Sequence, residues 1–140
     1  MYRNMKNSII DVLQQWRNEK IKLNPAASPG LIAEVEMAMD FSFPEEFKEL
    51  YTQVNGFSDY DWRENMFSIW PLERILEEYN GSDDKNFIAF SDFLINSHNI
   101  GFVRSQPAVF KRYGATEYTF VSDSFLESVK LINANSDLIY

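Results

Sequence analysis

The sequence predicts an α+β fold: one domain over residues 1–140, with a twisted, mainly antiparallel sheet of four to six strands between N-terminal helices and a C-terminal helix. Three observations predict it. Apolar residues recur at helical spacing through the first 55 positions. After Gly56 short alternating aromatic runs replace them, with connections too short for crossover helices. A capped amphipathic pattern then returns near Ser124, so helices flank a run of strands.

Ile9, Val12, Leu13 and Trp16 mark a first helix over about residues 7–20, which "LNPAASPG" breaks. Ser28 before Pro29 opens a second helix, with Leu31 or Ile32, Val35, Ala38 and Met39 as its core face. The third lies in "FPEEFKELYTQVNGF". Pro44 suits its first turn, Glu45 and Glu46 meet the positive end of the dipole, and Asn55-Gly56 supplies its stop. Phe43, Phe47, Leu50, Tyr51 and Val54 fall on its buried face.

"MFSIWPL" reads as a strand ended by Pro71, and "LERILEEYN" as a short helix closing at Asn80-Gly81. "NFIAFSDFL", "HNIGFVR", "AVFKRYG" and "TEYTFVS" are the remaining strands, the last two joined near Gly114-Ala115 as a hairpin. In "SDSFLESVKLINA", Ser122, Asp123 or Ser124 is the N-cap, Glu127 completes a capping box with Ser124, and Phe125, Val129 and Ile132 face the core.

The 45% hydrophobic and 16% aromatic content argues against disorder, and no repeat or low-complexity tract interrupts the chain. Without cysteine there is neither a disulfide framework nor a thiolate zinc site. The N-terminal residues are broken by polar groups too often for a secretory signal or a membrane span, which makes a soluble cytoplasmic protein the expectation. Residues 31–100 carry fifteen acidic and four basic side chains, and the ends balance the rest to a net charge of −8. Such a middle repels nucleic acid, and on charge alone it serves either solubility by itself or, where the domain meets a charged partner there, a basic one.

Chemistry finds little footing. The lone His98 lacks a metal-ligand set, and Ser91, Asp92 and Ser97 near it in sequence do not make a triad, so it reads as a turn or strand-edge histidine. No glycine-rich phosphate loop is present, and Asp83 and Asp84 lack the further oxygen ligands of a calcium loop. No cofactor or metal is expected. "NGFSDYDWRENM" differs: Tyr60, Trp62 and Arg63 alternate with acids in a connection, and these residue types anchor interfaces. Trp62 either serves that way or folds back on the core.

Taken in order, Glu36 to Met39, "FPEEFKELYTQVNGF", "FSIWPLERI", "FIAFSDFL" and "FVSDSFLESVKLI" resemble the SUKH superfamily of Smi/Knr-like domains, over residues 28–134. That family holds a yeast cell-wall-synthesis regulator and many bacterial immunity proteins. A helical glutamate, here Glu36, precedes the proline that opens the next helix, here Pro44, and Asn-Gly closes it. The chain departs from the pattern with Asp40 for a frequent Gly, Phe43 for Leu and one Gly after Asn55 in place of two.

The resemblance implies binding without catalysis. Bacterial members neutralise a toxin, often a nuclease, whose basic cleft an acidic surface would suit. The expected partner is therefore a basic protein, a cognate toxin; the alternative is a regulatory or scaffold module for an endogenous partner. Charge and loop placement select the partner surface: Glu34, Glu36, Glu45, Glu49, Asp59, Tyr60, Asp61, Trp62, Arg63 and Glu64.

Overall fold

Residues 2–58, 61–114 and 117–140 are described by the structure, a computed structural model, with side chains described from residue 8 onward. The first helix, α1 (Tyr2–Asn18), starts five residues earlier than the apolar spacing indicates. It buries Ile9, Val12, Leu13 and Trp16. The Trp16 indole stands edge-on to Phe57 at 5.0 Å and donates to Asn133 Oδ1 at 2.9 Å, so its polar tip is satisfied inside the core.

In α2 (Pro29–Met39) the Ser28 hydroxyl accepts from Leu31 N–H, as its position before Pro29 predicts. Ile32, Val35 and Met39 are buried, whereas Ala38 faces solvent. Asp40 ends the helix with φ +52°, a left-handed cap where a glycine would be free of strain. The Arg104 guanidinium reaches across to the Met39 and Asp40 carbonyls, satisfying helix-end acceptors with a cation.

Next comes α3 (Glu45–Tyr51), with Pro44 as its N-cap and not inside its first turn. Phe43, Phe47 and Tyr51 rise ring on ring up its buried face, with centroids 4.0 and 3.9 Å apart and planes nearly parallel. Phe125 and Phe102 meet Phe47 edge-on, so this column is the centre of the core.

Among the described residues the sheet has five strands in sequential order: β1 (Phe67–Ile69), β2 (Phe87–Phe93), β3 (His98–Val103), β4 (Val109–Arg112) and β5 (Tyr118–Ser122). Every pairing is antiparallel. Ile88, Phe90, Ile100, Phe102, Val109 and Val121 turn one face into the core. Against it pack α3 and α5 (Phe125–Asn133), whose Ser124 cap accepts from Glu127 N–H. The helix α4 (Leu72–Gly81) lies along β2, and with Phe87, Ala89, Asn99 and Arg112 it lines a cavity of about 340 Å³. Ala115, in the expected β4–β5 hairpin, lies outside the described residues.

Asn55-Gly56 does not close α3, which stops at Tyr51 with Thr52 as its cap. It is a joint instead. Asn55 Oδ1 accepts from Leu72 N–H at 2.8 Å, capping α4, and its amide donates to Glu73 Oε1 at 2.9 Å. Its own N–H donates to Pro25 O, and its carbonyl accepts from Asn24 Nδ2. Gly56 has φ +66°, and a Cβ there would stand 2.5 Å from Pro71 N and from Trp70 C and O. Both the dihedral and the close approach require glycine. Replacing it, Gly56→Ala, is expected to lower unfolding free energy by about 3 kcal/mol or more, combining backbone strain with overpacking against backbone. Urea unfolding followed by tryptophan fluorescence measures it.

Candidate protein-docking surface

Beyond the joint the chain runs along the outer edge of β1. Phe57 N–H donates to Ile69 O and Arg63 N–H to Phe67 O, both at 2.8 Å, so the edge of this strand is occupied. Asp61 anchors the start of the loop: one carboxylate oxygen accepts from Lys22 N–H at 2.8 Å and the other from Trp62 N–H. Arg63 anchors its middle. Only 8% exposed, its guanidinium grips both Glu19 carboxylate oxygens at 2.7 and 2.8 Å and donates to the carbonyls of Ile132 and Asn133. Asn65 adds a bond to Ile132 O. The loop is thus pinned to the ends of α1 and α5, and Trp62, 37% exposed, is partly open to solvent on that base.

A second segment meets it. Leu94 N–H donates to Met66 O at 3.0 Å, joining the loop to the β2–β3 turn. Met66, Leu94, Ile95 and Asn96 have φ of +70°, +49°, +53° and +65°. For apolar side chains, and above all for β-branched Ile95, this is a costly backbone region. Asn96 N–H to Asp92 Oδ2 at 2.7 Å and Ser97 N–H to Phe93 O at 2.9 Å hold the turn. Leu94 is 47% and Ile95 70% exposed, and Met66 is exposed as well. Positive-φ backbone that presents apolar side chains to water makes this turn the candidate docking tip.

Sequence reading did not single out Met66, Leu94 or Ile95. "SDFLINSH" contains no Gly or Pro, so Leu94 reads as the end of a strand, and the turn places it one residue beyond. The usable signal was an apolar pair in a connection only four residues long.

The described residues selected for a partner surface lie in three places: the loop, α3 and α2. Asp61, Trp62, Arg63 and Glu64 lie in the pinned loop, near the C-terminal end of α5. Glu45 and Glu49 are on α3, whose Glu46 accepts from Leu126 N–H at the opposite end of α5, about 10 Å away by helical rise. Glu36 is engaged inside the molecule: it accepts from Phe43 N–H at 2.7 Å and faces Lys48 at 3.7 Å. This bond sets the approach of the chain to α3. Glu34 stands exposed on α2. Asp59 and Tyr60 lie outside the described residues.

From Lys48 to Arg112 every basic side chain holds something within the fold. Lys48 faces Glu36 and Glu45; Arg74 faces Asp92 and Glu78; Arg112 faces Asp84. Lys85 caps the Tyr79 and Asn80 carbonyls, Lys111 those of Leu138 and Tyr140, and Arg63 and Arg104 the ends of α5 and α2. The carboxylates of Glu34, Glu64, Glu77 and Asp83 face water. The acidic surface of the middle region follows from its fifteen acidic against four basic side chains.

His98 is buried at the start of β3, where Nε2–H donates to Ile139 O at 2.8 Å, and burial holds its pKa below the ordinary value. Ser91 Oγ donates to Ser68 O, and Asp92 takes the Trp70 indole at 2.7 Å, so these neighbours are spent elsewhere. Burial of Asp84 opposes its charge, yet bonds from Tyr118, Asn86 N–H and Arg112 keep its carboxyl below the usual range. Among the described residues no group of three His, Asp or Glu is placed to hold a metal ion. No helix among them is long and apolar enough to cross a membrane.

The Arg63 guanidinium, hydrogen-bonded to Glu19, holds that carboxyl below its ordinary value of 4.5. Because the folded pKa is depressed, the pair contributes its stability above the unfolded value and loses it as pH falls through the folded one. Arg63→Met is therefore expected to cost about 2 kcal/mol at pH 7, and the gap to wild type should narrow below about pH 4.5. Urea midpoints between pH 3 and 7 read this. Ile95→Gly relieves a positive φ and is expected to raise stability by about 1 kcal/mol in the same assay.

No curated protein matches the chain. The sequence model of the SMI1 / KNR4 family (SUKH-1) does, over residues 26–130. That match begins just before α2 and ends within α5, taking in the Asn55-Gly56 joint, the pinned loop, the strained turn and the whole sheet. The chain belongs to the SMI1 / KNR4 family (SUKH-1).

Proposed function

We propose that this protein is a bacterial immunity protein, working in the cytoplasm, that neutralises a basic cognate toxin by binding it and without chemistry of its own. Family membership supports the class of function, since SUKH domains serve as immunity and regulatory binding modules. The observation that carries the reading is the docking tip itself. Trp62 and Met66 on the pinned loop, and Leu94 and Ile95 on the strained turn, expose apolar side chains on backbone that does not have to be ordered on binding. Preorganised apolar anchors are where binding energy concentrates.

Charge supplies the partner's sign. With the cations of the middle region committed internally, Glu64 beside the tip and Glu34, Glu45, Glu49 and Glu77 farther off form a negative field. Such a field speeds encounter with a basic protein, such as a nuclease, and its effect fades with salt.

The test is rescue of a susceptible bacterium that expresses the protein encoded beside this one, together with binding of the purified pair. Ile95→Gly and Trp62→Ala are each expected to weaken binding about tenfold or more while the fold stays intact. Glu64→Gln with Glu49→Gln should slow association and flatten its salt dependence, leaving dissociation nearly unchanged. Full rescue and unaltered affinity in both tip variants would remove the proposed surface.

A further inference from the structure

We infer that the outer edge of β5 is a second docking element, which takes an extended segment of a protein partner by strand addition, the segment having apolar residues within and Lys or Arg at its ends. The sheet has two terminal strands, and the molecule treats them differently. β1 is three residues long, wholly buried, and its outer carbonyls at Phe67 and Ile69 accept from Arg63 and Phe57. Its edge is closed. β5 is last in the strand order, and among the described residues no backbone group outside β4 bonds to it.

Free edges are ordinarily blunted by a charge or a proline. Tyr118–Ser122 has neither. Instead Thr119 and Phe120 face solvent, Phe120 at 54% exposure, with its ring edge-on to Phe110 of β4 at 6.2 Å. Val121 is buried in the core and fixes the strand from behind. The result is an uncharged, β-prone edge with an aromatic pair on its open face, a form open to β-strand addition.

The ends of the strand choose the occupant. Glu117 precedes β5 and Asp123 follows it, both exposed. A second copy paired antiparallel over the full strand, centred on Phe120, would set Glu117 against Asp123 at both ends, and like charges directly opposite repel. A segment with cations at its ends meets attraction at the same two points. The edge therefore discriminates against self-association and in favour of a basic strand. This inference stands apart from the toxin reading, because it concerns the opposite end of the sheet from Trp62 and Ile95.

The probe is a synthetic peptide, Lys-Thr-Val-Thr-Val-Thr-Lys, titrated into the isotope-labelled full chain and followed by amide NMR. Shifts centred on Thr119 to Val121 are expected, with the Glu-ended counterpart binding about tenfold more weakly or less. Methylating alternate backbone nitrogens of the peptide should abolish the shifts, since it removes ladder donors without touching the protein. Glu117→Lys with Asp123→Lys should reverse the preference between the two peptides. The inference is overturned if β5 amides do not respond at millimolar peptide, if N-methylation leaves the affinity unchanged, or if sedimentation finds a dimer that Phe120→Lys disperses.

Discussion

Asn55 commits all four of its polar groups to holding the helical half of the molecule against the sheet. The backbone N–H and carbonyl tie it to Pro25 and Asn24, in the segment between α1 and α2, while the side chain caps α4 and binds Glu73. A buried amide satisfied on every side is stabilising only while all its partners stay in place, so the four connections stand or fall together. Gly56 then turns the chain against the Trp70–Pro71 backbone, nearer than any side chain permits, and Tyr51 closes the same junction by donating to Trp70 O. Everything downstream inherits this geometry. The loop emerges along the β1 edge because the joint aims it there.

Cations govern the second level of organisation. A helix end leaves carbonyls unsatisfied, and here Arg63, Lys85 and Arg104 meet those of α5, α4 and α2. Each of these cations is held at a helix end, where it meets the negative pole of the dipole and keeps its own charge. Arg63 shows the consequence for binding: its type suits an interface anchor, yet its fork is filled by Glu19 and two carbonyls. What a partner can meet in this loop is the neighbour it fixes, Trp62.

Periodicity made the elements legible. Trp16, Phe47 and Phe125 went into the core where their spacing placed them, and β2 and β3 formed in runs read as strands, because apolar burial is the largest local signal a chain carries. The role of Asn55-Gly56 was not legible. A pair that tolerates positive φ reads as a helix stop, and only the tertiary approach of Pro71 reveals a joint. The docking tip was half legible: Trp62 stood out by type and by its acidic neighbours, whereas Ile95 looked like any strand-forming residue. Its meaning lies in a dihedral that residue type argues against. Glu36 likewise looked like surface charge until its bond to Phe43 N–H placed it inside the fold.

The proposed function joins the family frame to the tip: an acidic domain of the SMI1 / KNR4 family that exposes a few apolar side chains on positive-φ backbone, offered to a basic partner. Amide hydrogen exchange of this chain, with and without the protein encoded beside it, tests that picture most directly. Slowed exchange is expected, centred on residues 61–66 and 94–97, on a frame whose other amides are unchanged. Slowing confined to α1 and the exposed face of α2, with the loop and turn exchanging as in the free protein, would contradict it.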